Sequence, residues 1–241
     1  MPPDLRGWVE RVCEVVRRSL VPLLLVQGCV AAVGAVLAYA LPPPPDGVPP
    51  GDPRATLAAL GLSIGLAVGV LAQGTSVYVA IQDAAGRPPT VRQALRFAAE
   101  RAPALVGWGM VAALLTMLGC VLLIVPGLYL AVVFGASLAG VVTVERGTPA
   151  RCFELVNARF WPTAGRMALA VAAGAAYTVV SGYVVRALST PGSFDEAVLR
   201  AVAGVPLGMA AVGVAVVTYA ELRFHERGEV FTGTLAAELD H

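Results

Sequence analysis

The sequence contains no lysine, only two histidines, and few charges of either sign. Charged residues make up 14% of the 241 positions, against about 25% in ordinary soluble domains. With 57% hydrophobic residues and a mean hydropathy of +0.75, a soluble domain is excluded. The exclusively arginine basic set reads as coding bias rather than selection for guanidinium. Cys13, Cys29, Cys120 and Cys152 show neither disulfide nor metal-ligand spacing and read as small apolar packing residues. Both histidines, His225 and His241, lie in the tail, so no histidine-based hydrolase or zinc protease can be assembled. The P-loop and the paired aspartates of membrane phosphotransferases are also missing. Enzyme chemistry is therefore not expected, no cofactor or metal site is indicated, and no basic tract suggests nucleic acid.

What is present is a set of long charge-free runs. They lie between Arg18 and Asp46, Arg54 and Asp83, Arg101 and Glu145, Arg166 and Arg200 (broken by Arg186 and Asp195-Glu196), and Arg200 and Glu221. A helix crosses a bilayer with about 20 apolar residues. The run from Ala102 to Val144 would extend roughly 60 Å as one helix, so it must fold back, and Pro126-Gly127 is the breaker near its middle. The expectation is an all-α integral membrane protein, one domain over 1–241, with six spans near 20–40, 56–81, 103–125, 128–144, 164–186 and 197–220. Ala38-Tyr39-Ala40 mimics a signal cleavage site, but the apolar run Leu20 to Leu37 exceeds the usual 7–15 residues of a signal core.

Fourteen arginines fall on one side of this topology, against Arg54, Arg186 and Arg200 on the other. The positive-inside rule then places both termini in the cytoplasm. Tyr39, Tyr129 and Tyr183 fall near the outer boundary, and Trp8, Trp108, Trp161, Tyr78 and Tyr219 near the inner one. The loop Pro42 to Pro53 holds seven prolines and is expected to be an extended strap.

Short basic amphipathic helices are expected at about 4–19, 90–101 and 148–160, one before each odd-numbered span. Thr90-Val91-Arg92-Gln93 is a capping box, and Thr148-Pro149 sets a cap before a first-turn proline. Each segment closes with arginine and then proline (Arg18 and Pro22, Arg101 and Pro103, Arg159 and Pro162), where the chain should turn into the bilayer. The order suggests three parallel units of surface helix, span and return span.

Within the spans, Gly61, Gly65 and Gly69 share one face, as do Gly204 and Gly208; such stripes suit close helix packing inside the bundle, or a homodimer seam. Gln27 and Gln73 are the deepest polar side chains and form a candidate intramembrane pair. Pro206 should kink the sixth span and free backbone carbonyls. Ser193-Phe194-Asp195-Glu196 reads as a capping box.

Val125-Pro126-Gly127-Leu128-Tyr129-Leu130 is followed by Val144-Glu145-Arg146-Gly147, by Cys152 to Trp161, and by Tyr219-Ala220-Glu221-Leu222-Arg223. Together these resemble the bacterial six-span family named for the membrane domain of glycerophosphoryl diester phosphodiesterases. Leu155, Arg159, Phe160 and Trp161 match its pattern, whereas Cys152, Phe153, Ala158 and Glu221 depart from it. The resemblance implies a fold and a bacterial plasma-membrane location. It implies no activity, because the sequence has no length for the catalytic barrel of about 250 residues.

Two functions follow as expectations. One is a non-catalytic lipid-binding or accessory protein, with Arg159, Phe160 and Trp161 as candidate lipid-headgroup contacts and membrane lipids, a protein partner or a second copy as partners. The other is a transporter, or its membrane subunit, for a small apolar or lipid-like solute lining Gln27, Gln73 or the carbonyls near Pro206.

Overall fold

The computed structural model describes residues 5–41, 53–145 and 147–227. The proline strap lies outside these except for its last residue, Pro53, which opens a helix. Eight α-helices are described: α1 (Leu5–Arg18), α2 (Leu20–Ala40), α3 (Pro53–Ala84), α4 (Val91–Leu122), α5 (Ile124–Gly140), α6 (Pro149–Asn157), α7 (Phe160–Leu188) and α8 (Phe194–Arg227). A π-helical turn, Val141–Glu145, extends α5. Six helices are long and apolar enough to cross a membrane, so the fold is the expected all-α membrane class.

Three of the breaks share one device. Pro22, Pro126 and Pro162 are each the third residue of a helix, and the chain breaks three residues earlier, at Ser19, Leu123 and Arg159. The first four N–H groups of a helix have no internal partner, so a proline there sacrifices no hydrogen bond. Pro103 differs. α4 runs through it unbroken, so the expected second amphipathic helix is not a separate element. The carbonyl that Pro103 leaves without its donor belongs to exposed Ala99, and the amphipathic end is held on α3 by Phe97 stacking 4.2 Å from Tyr78. Units one and three therefore carry a separate short helix, and unit two does not.

Helix α8 is the hub, packing against α1, α2, α3, α5, α6 and α7. α1 lays one face on α8: Trp8 is 3% exposed and donates to Thr218 Oγ1 at 3.3 Å, while Val12 and Val16 sit on Gly213. Ser19 pins the α1–α2 kink to the end of α3 by donating to Asp83 Oδ2 at 2.7 Å. α6 folds back along α5, Phe153 stacking edge-on against Phe134 and Asn157 accepting from the Tyr129 hydroxyl at 2.8 Å. Tyr129 therefore belongs with the α6–α7 junction and does not serve as the outer-boundary anchor expected from its place after the turn.

Burial is concentrated where the arginine-rich ends meet, and the helices spread toward the opposite end. Val121 to Val125, at the α4–α5 turn, are all at least 68% exposed and all apolar, a surface suited to hydrocarbon.

Candidate lipid clefts and the ionic clamp beneath them

At the arginine-rich end, the Glu145 segment and the Tyr219–Arg223 segment come into contact. The π turn, closed by the Gly147 N–H donating to the Val141 carbonyl at 3.2 Å, carries Glu145 to α8. Tyr219 donates to Glu145 Oε1 at 2.9 Å, Arg151 Nε donates to Oε2 at 2.9 Å, and Arg223 Nε lies 3.4 Å from Oε1. The last is an ionic contact rather than a well-formed hydrogen bond. Arg151 also reaches Glu154 at 3.0 Å and Glu226 at 2.5 Å. These carboxylates, Glu226 foremost, raise the Arg151 pKa above its ordinary value and keep the guanidinium charged. Glu221 accepts from Arg11 of α1 and Arg166 of α7. One end of α8 thus ties four other elements together. The clamp is buried: Arg223 is 2% exposed and Tyr219 1%. Tyr219 can lie so close because Gly140 faces it; a Cβ at Gly140 would be 2.4 Å from the ring. Cys152 is buried beside Ser137, and burial pushes its thiol pKa up.

Two open clefts lie among the helices beyond the clamp. The first, about 530 Å³, lies between α3, α4 and α5, with Val70, Leu105, Ala112 and Leu138 among its walls. The second, about 570 Å³, lies between α7 and α8 and is floored by Trp8, Met167 and Ala210. Gln73 and Gly135 line both, and no charged side chain lines either. These are the dimensions of small-ligand sites. Gln73 makes no hydrogen bond with any described residue, so its amide is the polar group available at the junction.

The expected Gln27–Gln73 pair is not formed. Gln27 is 8% exposed and donates to Ser76 Oγ at 3.2 Å, with its carbonyl oxygen resting on Gly208. Ser76 lies three residues beyond Gln73, on the next turn, and is the group that faces α2. The glycine stripes divide likewise. Gly208 seats Gln27 and Gly61 seats Leu41, whereas nothing approaches within 4 Å of a Cβ at Gly65, Gly69 or Gly204. Those three do not serve packing within the bundle. α8 continues through Pro206, and the Tyr177 hydroxyl donates to the neighbouring Ala203 carbonyl at 2.8 Å.

Phe160 and Trp161 meet edge-on, ring centroids 5.5 Å apart, and no contact joins Arg159 to either ring. Phe160 packs 5.3 Å from Tyr129, and Trp161 is 82% exposed. Arg159 makes no ion pair with a described residue and lines small cavities with His225, Leu222 and Glu226. In the Ser193 cap, Ser193 Oγ accepts from the Glu196 N–H at 3.1 Å, but the Glu196 carboxylate accepts from the Gly192 N–H at 2.6 Å. Thr90 forms its capping box in full, while Thr148 caps by position without a side-chain bond.

The sequence missed the clamp because Glu145 and Tyr219 lie 74 positions apart and looked like solvated span ends. Compared with family models, curated proteins and solved structures, the chain matches none.

Proposed function

We propose that this chain is a non-catalytic lipid-binding protein of the bacterial plasma membrane, holding an acyl chain in the clefts that meet at Gln73. The carrying observation is a pair of uncharged clefts, both lined by Gln73 and Gly135, that lie among the membrane-spanning helices. Water in such a cleft finds few polar partners, whereas an acyl chain fits the apolar walls. The ionic clamp supports this reading by holding the helices together at one end while they separate at the other. The arginine distribution supports cytoplasmic termini, with the clamp on the cytoplasmic side. Arg159, with no described ion-pair partner beside exposed Trp161, supports a second, weaker contact with anionic headgroups there.

The test is native mass spectrometry of protein extracted in mild detergent, comparing wild type with Gly135→Leu. A Cβ at Gly135 meets only the flexible end of Met167, at 3.0 Å, so the larger side chain obstructs the place where both clefts meet without breaking backbone contacts. Wild type should carry lipid adducts that Gly135→Leu loses while its melting temperature stays unchanged. Equal adducts on both proteins would refute the assignment. The transport reading shares the same clefts, and Gln73→Leu separates the two: it should abolish solute movement in a transporter but leave acyl-chain retention in a binding protein intact.

A further inference from the structure

We infer that the groove between α7 and α8 holds an anionic phospholipid, with its phosphate on Arg186 and Arg200 at the end opposite the clamp. This rests on the lipid-binding reading above and names the ligand class and the leaflet. A third cleft, about 540 Å³, lies at that end, walled by Thr178, Gly182 and Arg186 from α7 and by Arg200 and Gly204 from α8. Tyr177 and Leu207 line both this cleft and the one that reaches Gln73, so the two form one groove.

The groove is apolar along its length and basic at its mouth. Arg186 makes no ion pair or hydrogen bond with a described residue. Arg200 contributes one nitrogen to Glu196 at 2.6 Å and keeps the rest of its donor fork. Glu196 is otherwise occupied by the Gly192 N–H, and exposed Asp195 does not line the cleft. The hydroxyls of Thr178 and Ser181 turn back to the carbonyls of Gly174 and Thr178, at 2.8 and 3.2 Å, which leaves the two guanidinium groups as the cationic donors facing the cleft. Paired guanidinium groups suit a phosphate, which accepts several charge-assisted bonds at once. Gly204, with nothing within 4 Å of a Cβ, leaves the room a chain needs below it.

The depth agrees. From Arg186 to Gly174 is twelve residues, about 18 Å along α7, close to one leaflet of a hydrocarbon core of about 30 Å. A lipid anchored at the mouth therefore places its chain ends beside Gly174 and Leu207, where the groove meets the Gln73 cleft.

The test uses the full chain in detergent and native mass spectrometry, titrating phosphatidylglycerol, phosphatidylcholine of the same acyl chains, and inorganic phosphate. Wild type should prefer phosphatidylglycerol by about 30-fold, the value for two arginines near a membrane surface. Arg186→Gln with Arg200→Gln should erase that preference while phosphatidylcholine binding and the melting temperature stay unchanged. The single Arg186→Gln variant, at an exposed position, should remove part of it and serves if the double variant misfolds. Gly204→Leu should weaken both lipids. A preference that survives the arginine substitutions overturns the headgroup assignment, as does displacement of the lipid by inorganic phosphate at equal concentration. If Gly204→Leu acts and the arginine substitutions do not, the groove stands and only the headgroup site falls. If neither acts, the lipid-binding reading of this groove falls as well.

Discussion

Replacing Glu145 by alanine should remove the keystone of the clamp, and the structure indicates how much this costs. The carboxylate accepts from Tyr219 and Arg151, each at 2.9 Å, and faces Arg223 Nε at 3.4 Å. Arg151 keeps Glu154 and Glu226 and is 24% exposed, so it loses little. Arg223 is 2% exposed and Tyr219 1%, so a buried guanidinium loses its facing carboxylate and a buried hydroxyl loses its acceptor. Removing one partner of a buried ion pair costs about 3–5 kcal/mol when nothing else meets the remaining charge, and Arg223 has a further interaction that places the cost at the low end. We therefore expect Glu145→Ala to cost about 3 kcal/mol, roughly a 150-fold shift in the folding equilibrium. Glu145→Gln, which retains one acceptor, should cost less. Glu145→Ala combined with Arg223→Leu should recover most of the loss, since an apolar side chain needs no counter-charge. The assay is unfolding in mixed micelles with increasing dodecyl sulfate, followed by fluorescence of Trp8, which packs on the same end of α8, with Trp108 and Trp161 replaced by phenylalanine. A loss under 0.5 kcal/mol for the single variant, or a double variant as unstable as the sum of its parts, would refute the reasoning.

Other consequences are local. At Gly127 a Cβ would lie 2.4 Å from the Cys120 backbone nitrogen and 2.6 Å from its Cα, so Gly127→Ala should part α4 from α5 and cost about 1–3 kcal/mol in the same assay. Gly65→Ala should be neutral or stabilising, since nothing lies near its Cβ; a drop in stability together with loss of a dimer band would instead reveal a homodimer seam. Cys152 should resist alkylation at pH 8 while exposed Cys13 reacts, measured by mass shift in the folded protein. Its pKa is raised on folding, so its contribution to stability holds below the ordinary thiol value of about 8.5 and is lost as pH climbs through the raised one. Faster modification of Cys152 than Cys13 would contradict the burial.

The spans were legible because a charge-free run of sufficient length has few alternatives in a bilayer. Pro126-Gly127 revealed the fold-back for the same reason, although the break itself falls at Leu123, where a proline in the next helix's first turn is tolerated. Pro103 shows the limit of that signal: its spacing from Arg101 resembles the other junctions, but packing of Phe97 on Tyr78 accompanies a helix that continues. Partner choice was less legible. Gln27 and Gln73 were the conspicuous polar residues, yet Ser76, one turn from Gln73, meets Gln27, and that depends on the rotation of α3 about its axis. The clamp was hidden because Glu145, Arg166, Glu221 and Arg223 sit at span ends, where a charge looks solvated until neighbouring helices bury it. The clefts are properties of splay between helices, which periodicity does not encode.

The most direct test of the central claim uses a phospholipid carrying a photoreactive diazirine near the end of its acyl chain, irradiated with the protein in bilayer nanodiscs and mapped by peptide mass spectrometry. Adducts concentrated on cleft residues such as Gln73, Gly135, Leu207 and Ala210 are the predicted result. Adducts spread over the exposed apolar rim at Leu122–Val125 and Val179–Val180, with the cleft residues unlabelled, would contradict it.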